Sequence, residues 1–423
     1  MRIGKLITAL LTLFLIGQLL LCSVAWSEFR ASPSFSLREE YNDNIDLEHD
    51  AESDFITLVG ASYAIVWETR LFDLSLNLGL EYEKYLDNSE NDDLRPRQGS
   101  QLESTFNLYR DTVFLRISDT YERVVIDEGD QGGIGNNLTN LTDSNRLEIN
   151  PYAMFDLSSS MQFRLDYQYE NQWYDDEDGD DAEYHTYSAT LTRAWTSHIS
   201  SSLTGGFTQY RPMDSSDSFS DDSGEEEYDR RDLNLVLQWQ PIEQLIFSAN
   251  IGRAWLDYEF SNDYDSTLFG IGMDYQLSRT LNLALAYTED INASVEEGAR
   301  EQKEYTFSLG YKDRISAGFE FFSRTEDYLE LDRQDDSFGG SVNAEIPLSN
   351  KFGIGCLLSY TDYEEDYAQY SDEYQRYGAR FSLYRELRLG RISVGYTYNE
   401  NDSDTIADDY TNNIVFAQLN LHW

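Results

Sequence analysis

The residues with the greatest chemical potential in this chain are scattered. The histidines His49, His185, His198 and His422 form no paired-ligand spacing for zinc or another transition metal. The run Asp175-Asp176-Glu177-Asp178-Gly179-Asp180-Asp181 has the oxygen ligands calcium prefers, but lacks the spaced ligands and closing Glu of an EF-hand loop. Loose divalent-ion binding or plain repulsive solvation of an exposed loop both fit it, and solvation is the simpler. His185, beside that run, is the best general-base candidate, and no nucleophile motif accompanies it. The sequence therefore predicts no enzyme, no cofactor and no metal centre.

Charged residues recur instead at every second position of apolar stretches. Asp73, Glu81, Glu83, Glu103, Asp166, Glu170, Asp232 and Glu320 occupy the polar parity, as do Arg116, Arg164, Arg324, Arg376, Arg380 and Arg391. The elements that position them are strands. Phe72 to Tyr82 reads Phe-Asp-Leu-Ser-Leu-Asn-Leu-Gly-Leu-Glu-Tyr, apolar at even and polar or small at odd positions, the period of a strand with one oily face. Val59, Ala61, Tyr63, Ile65 and Trp67 repeat the pattern, as do Leu203, Gly205 and Phe207; Leu233, Leu235, Leu237 and Trp239; and Leu281, Leu283, Leu285 and Tyr287. No helical period competes with it. The expected fold is all-β: a transmembrane antiparallel β-barrel of about twenty strands, with eighteen the alternative count and both termini periplasmic. The fourteen charged residues then face the lumen, as a transverse field in a channel or as salt-bridged filling that stiffens the wall.

Connections alternate between short (Glu68-Thr69-Arg70; Arg110-Asp111; Pro241 to Gln244) and long (Leu86 to Gly99; Ile126 to Asp143; Glu259 to Asp265), as periplasmic turns and outer loops do. Asp214 to Glu227 is a further long acidic loop. Trp67, Trp195 and Trp239 sit at the last outward position before short turns, and Tyr82, Tyr169, Tyr287, Tyr360 and Tyr398 beside long loops, the places of two aromatic belts. Val415, Ala417, Leu419, Leu421 and Trp423 alternate outward to a terminal aromatic, which resembles the assembly signal of outer-membrane barrels.

Residues 1–27 read as a secretory signal peptide: Arg2 and Lys5, an apolar run from Leu6 to Leu21, then Ala25-Trp26-Ser27. Residues 28–423 form the barrel. Cys22 leaves with the peptide and Cys356 remains alone, a small buried hydrophobe on the apolar face, so no intrachain disulfide forms. The mean hydropathy of −0.56 would suit a soluble protein, but barrels escape hydropathy because half their wall faces water. A net charge of −47 excludes nucleic acid as a partner.

Glu40-Tyr41-Asn42-Asp43-Asn44-Ile45, followed by Ser53-Asp54-Phe55-Ile56-Thr57, resembles the first hairpin of the beta-barrel porin 2 family, which includes outer-membrane proteins encoded with exopolysaccharide and exosortase systems. The resemblance implies a Gram-negative outer-membrane barrel serving passage of exopolysaccharide. It also implies outer-membrane lipid, the barrel assembly machinery and polysaccharide export components as partners. The alternative function is a non-conducting barrel whose acidic loops bind divalent ions, sugars or a partner.

Overall fold

A computed structural model describes residues 28–126, 133–135, 138–175, 181–213, 227–259, 262–293, 299–329, 331, 333–367, 371–405 and 408–423. The proposed signal peptide lies outside them, as do 176–180 and 214–226 of the acidic loops. Among the described residues the one helical segment is a 3-10 turn at Ser89–Asn91, and every other regular element is a strand. Apart from Asp93–Pro96 and Ser100–Tyr109, which share one neighbour, each strand pairs antiparallel with the next, and the first (Glu28–Asn42) pairs with the last (Tyr410–His422), Ser34 opposite His422 and Asn42 opposite Ile414. That pairing closes the wall, so no sheet edge is left in the bilayer.

Twenty-one strands make twenty wall positions. Asp93–Pro96 and Ser100–Tyr109 both pair with Phe72–Tyr85, Glu83 opposite Asp93 and Phe72 opposite Phe106, and together form one interrupted stave. The loop expected over Leu86 to Gly99 therefore holds a piece of wall. Asp-Leu-Arg-Pro is too short and polar to show an apolar face, and Pro96 cannot donate to a ladder. Ser34 to Tyr41 and Leu147 to Phe155, weak in the sequence, lie inside full strands of 15 and 18 residues. A strand needs about ten residues to cross a bilayer, so these staves project beyond it.

One face of the wall is apolar and outward. Leu233, Leu235 and Leu237 are 44–49% exposed to whatever surrounds the protein, which for a barrel is hydrocarbon. Trp195 and Trp239 lie on this face near the short turns, and Trp67 packs edge-on between Phe29 (6.4 Å) and Phe72 (4.7 Å). Register puts Tyr82, Tyr169, Tyr287, Tyr360 and Tyr398 on the same face toward the long loops. Cys356 is outward too, opposite Phe381, but only partly buried by protein; its expected burial is corrected, because lipid rather than a core covers the outer face. Glu28 lies opposite Glu68, and the Trp423 N–H donates to the Pro33 carbonyl (3.1 Å), so both ends of the described chain sit at the short-turn end.

The opposite face is the lumen, because contacts cross the interior on it. Arg230 of strand Tyr228–Ile242 reaches past two strands to donate to the Ile291 carbonyl (3.0 Å). Small buried apolar clusters, Ile45, Ile56, Leu58 and Tyr85 on one side and Ala254, Leu256, Tyr258, Leu268, Ile291 and Ala299 on the other, lie toward the long loops.

Candidate functional site: the lumen

Burial divides the lumen along its axis. Toward the long loops, inward side chains are packed: Glu83 is 2% exposed, Arg333 and Asp335 similarly buried, Thr397 and Asn399 almost fully so. Toward the short turns Glu103, Arg116 and Glu320 are exposed. A polar vestibule at the short-turn end thus leads into a half where inward side chains are packed.

Among the described residues, two pieces pack against the inner wall in that half. Strand Tyr264–Gln276 pairs with Leu281–Ala293 only from Phe269 to Gln276, so the tip carrying Asp290 and Ile291 parts from that neighbour, while still paired to Ala299–Lys312, and clusters Ile291 with Ala254, Leu256 and Leu268. Arg230 fixes it through Asp290 (3.5 Å) and the Ile291 carbonyl. The second piece is Gly133-Ile134-Gly135, from the connection expected as an outer loop over Ile126 to Asp143. It reaches the inner wall beyond the seam between first and last strands. The Asn399 side chain holds it both ways: Oδ1 accepts the Ile134 N–H (2.7 Å) and Nδ2 donates to the Ile134 carbonyl (3.1 Å). Gly135 takes φ +88°, which favours glycine, and a Cβ there would meet Arg380 Nη2 at 2.8 Å. Gly378 leaves the notch that Ile134 fills; a Cβ there would lie 2.6 Å from Ile134 Cδ1.

Asn42, Asp43, Asn44 and Asp54 anchor this region. Asn412 Nδ2 donates to Asn42 Oδ1 (2.5 Å) and to the Asn44 carbonyl (2.7 Å), and Asn399 Nδ2 donates to Asn412 Oδ1 (3.0 Å). Asp43 accepts from the Asn413 backbone (2.6 Å) and side chain (2.8 Å), so Asn42-Asp43-Asn44 pins first strand to last. Asp54 accepts the N–H groups of Leu86, Asp87 and Asn88 (3.1, 3.1 and 2.9 Å) and holds the loop after the third strand.

Strand register puts the fourteen charged residues on the face opposite the apolar one, and they do not converge on one centre. Arg116 pairs with Glu103 (2.9 Å), and the Arg164 guanidinium grips Asp166 through Nε (2.8 and 2.9 Å). The others meet partners that parity alone did not single out: Glu83 and Glu81 meet Arg95 (2.6 and 3.8 Å), Glu170 Arg146 (3.0 Å), Asp232 Arg230 (4.0 Å), Arg324 Glu304 (3.2 Å). Arg391 meets Glu345 and Glu386 (2.8 and 2.5 Å), Arg376 donates to Asn401 (3.0 Å) and Arg380 to Thr397 (3.0 Å). Asp73 lies near a short turn opposite Glu68, and Glu320 lies opposite Ser341. Arg333–Asp335 (2.8 Å) and Arg38–Glu40 (2.6 Å) were missed, and a signal existed for both: a basic and an acidic residue two apart share one face of a strand.

His185 is on the outer face, its Nδ1 2.9 Å from the Tyr167 hydroxyl, away from the lumen. Among the described residues no three His, Cys, Asp or Glu side chains cluster as metal ligands.

No family model matches the chain, and no curated protein matches it. Among solved structures it is similar to the siderophore receptor PirA from Pseudomonas aeruginosa (TM-score 0.48, 10% identity, 93% of this chain and 80% of that one). It is similar also to the FrpB iron transporter from Neisseria meningitidis (0.48, 7%, 93% and 82%) and to the copper transporter OprC (0.47, 10%, 95% and 81%).

Proposed function

We propose that this protein is an outer-membrane channel for hydrophilic solutes, narrowed at its long-loop end. One observation carries the reading: the inner face of a closed twenty-stave wall is polar and open to solvent over its short-turn half, while the outer face is apolar. Twenty strands exceed the number whose side chains fill a barrel, and a polar interior of that width holds water. Passage of exopolysaccharide is the specific form that the resemblance in Glu40 to Ile45 supports, with polysaccharide export components as partners and assembly through the barrel machinery into outer-membrane lipid. Single-channel recording of the refolded protein tests the channel: discrete conductance steps are expected, and silence from a heat-modifiable, folded barrel refutes it. Block of the steps by added polysaccharide tests the passenger.

The packed long-loop half favours a second reading, a non-conducting barrel whose loops bind ions, sugars or a partner. Deleting 214–226 would then abolish binding to that partner, whereas the channel reading expects altered conductance.

A further inference from the structure

The vestibule wall has a recess of about 440 Å³ lined by Arg116, Arg164 and Asp166 together with hydroxyl and amide side chains. We propose that it is a binding subsite for a neutral oligosaccharide; this rests on the channel reading and names the class of solute.

The charges of the recess are balanced. Arg164 is held by Asp166 on one side and lies 4.2 Å from the centroid of the Tyr152 ring on the other, and Arg116 is paired with Glu103. An ion entering finds no uncompensated partner to repay its desolvation. Hydroxyl and amide groups make up most of the remaining lining. Thr190 and Thr192 are two residues apart on one strand, about 6.7 Å along it, and pair across to Thr204 (3.0 Å) and Ser202 (2.9 Å). Each hydroxyl has one donor and two acceptor sites, and one contact within a pair leaves capacity on both for a ligand. Gln168 adds an amide. Closely spaced neutral donors and acceptors, fixed on strands, match the hydroxyls of a sugar chain, and the volume falls within the range of small-molecule sites. Binding must stay weak, because a conducting pore has to release what it holds.

The test uses the full-length, detergent-solubilised barrel, with folding confirmed by heat-modifiable migration. Maltohexaose and oligogalacturonate are titrated by saturation-transfer NMR, and conductance is recorded in parallel. The expected result is millimolar binding of maltohexaose that weakens about tenfold in Thr190→Val/Thr192→Val, the scale of two lost hydrogen bonds. Equal binding by the variant overturns the subsite, as does preference for oligogalacturonate or binding of neither sugar. Conductance steps without sugar binding keep the channel and sink the subsite. Variant-sensitive binding by a silent barrel does the reverse.

Discussion

Replacing Asn399 by Ala should release the Gly133–Gly135 segment from the inner wall. The substitution removes two hydrogen bonds to Ile134 (2.7 and 3.1 Å) and one to Asn412 (3.0 Å), while Asn412 keeps its bonds to Asn42 and Asn44. At a net 0.5–1.5 kcal/mol each, the two bonds to Ile134 contribute about 1–3 kcal/mol, or roughly 5- to 150-fold in the ratio of docked to released segment. A segment docked about 99% of the time would then be released about a tenth of the time after a tenfold shift. In bilayer recordings the variant should spend correspondingly more time in a higher-conductance level, and the Ile134 amide should exchange faster with solvent. Gly378→Val reaches the same end while leaving the Asn399 side chain in place, because its Cβ would fall 2.6 Å from Ile134 Cδ1, and closer still to Ser359 Oγ, and crowd the Ile134 side chain out. If both variants fold but leave the conductance levels and Ile134 exchange unchanged, the segment does not limit the pore and the reasoning fails.

Three further outcomes follow from the wall. Arg333→Met should lower resistance to denaturant by about 3–5 kcal/mol, because it takes a buried guanidinium from both Asp335 (2.8 Å) and Glu365 (3.5 Å), and Arg333→Met/Asp335→Leu should recover part of the loss; equal damage in both would show that Asp335 has no share in it. Leu235→Arg, on the hydrocarbon face, should cost up to about 2–4 kcal/mol of folding stability in liposomes, whereas Ser202→Arg, facing the lumen, should change conductance and leave stability near that of the parent; a reversed order would invert the assignment of faces. Arg38 and Arg380 both lie over the Phe416 ring (4.5 and 6.0 Å), with Glu40 held by Arg38, so Arg380→Gln should shift the reversal potential in a KCl gradient toward cations. No shift would mean that ions do not pass Arg380.

Much of the wall is legible in the sequence, because strand period needs only local order. Phe72 to Tyr82 alternates without a break, and register places Leu74, Leu76 and Leu78 on the face opposite Asp73 and Glu81. Legibility ends where position depends on distant contacts. Glu83 and Glu103 have the same inward parity, yet one is 2% exposed and the other has a side chain about half open to solvent. Parity fixes the face but is blind to depth along the axis and to what folds over the residue. Gly133-Ile134-Gly135 reads as ordinary loop, and only its fit to Asn399 and Gly378, more than two hundred residues away, draws it inward. The strand Asp93–Pro96 was invisible for the opposite reason: its pairing with Leu80 to Glu83 makes it wall, and nothing in its own four residues does.

The charge pairs explain how a chain of net charge −47 can line the inside of a barrel without filling it with repulsion. Arg38–Glu40, Arg164–Asp166 and Arg333–Asp335 each lie two residues apart, on one face of one strand, where a guanidinium reaches its neighbour's carboxylate without any fit between strands. Glu103–Arg116, Arg146–Glu170 and Glu304–Arg324 tie neighbouring strands in the same currency of opposite charge. Many of the basic residues pair on the wall, and the sequence concentrates acid in connections such as Asp175 to Glu183 and Asp214 to Glu227. Charge in water costs little, because water solvates it and salt screens it beyond about 10 Å at 0.1 M. In the packed half of the lumen the same charge would require a partner, and at Arg333 and Asp335 it has one at 2.8 Å.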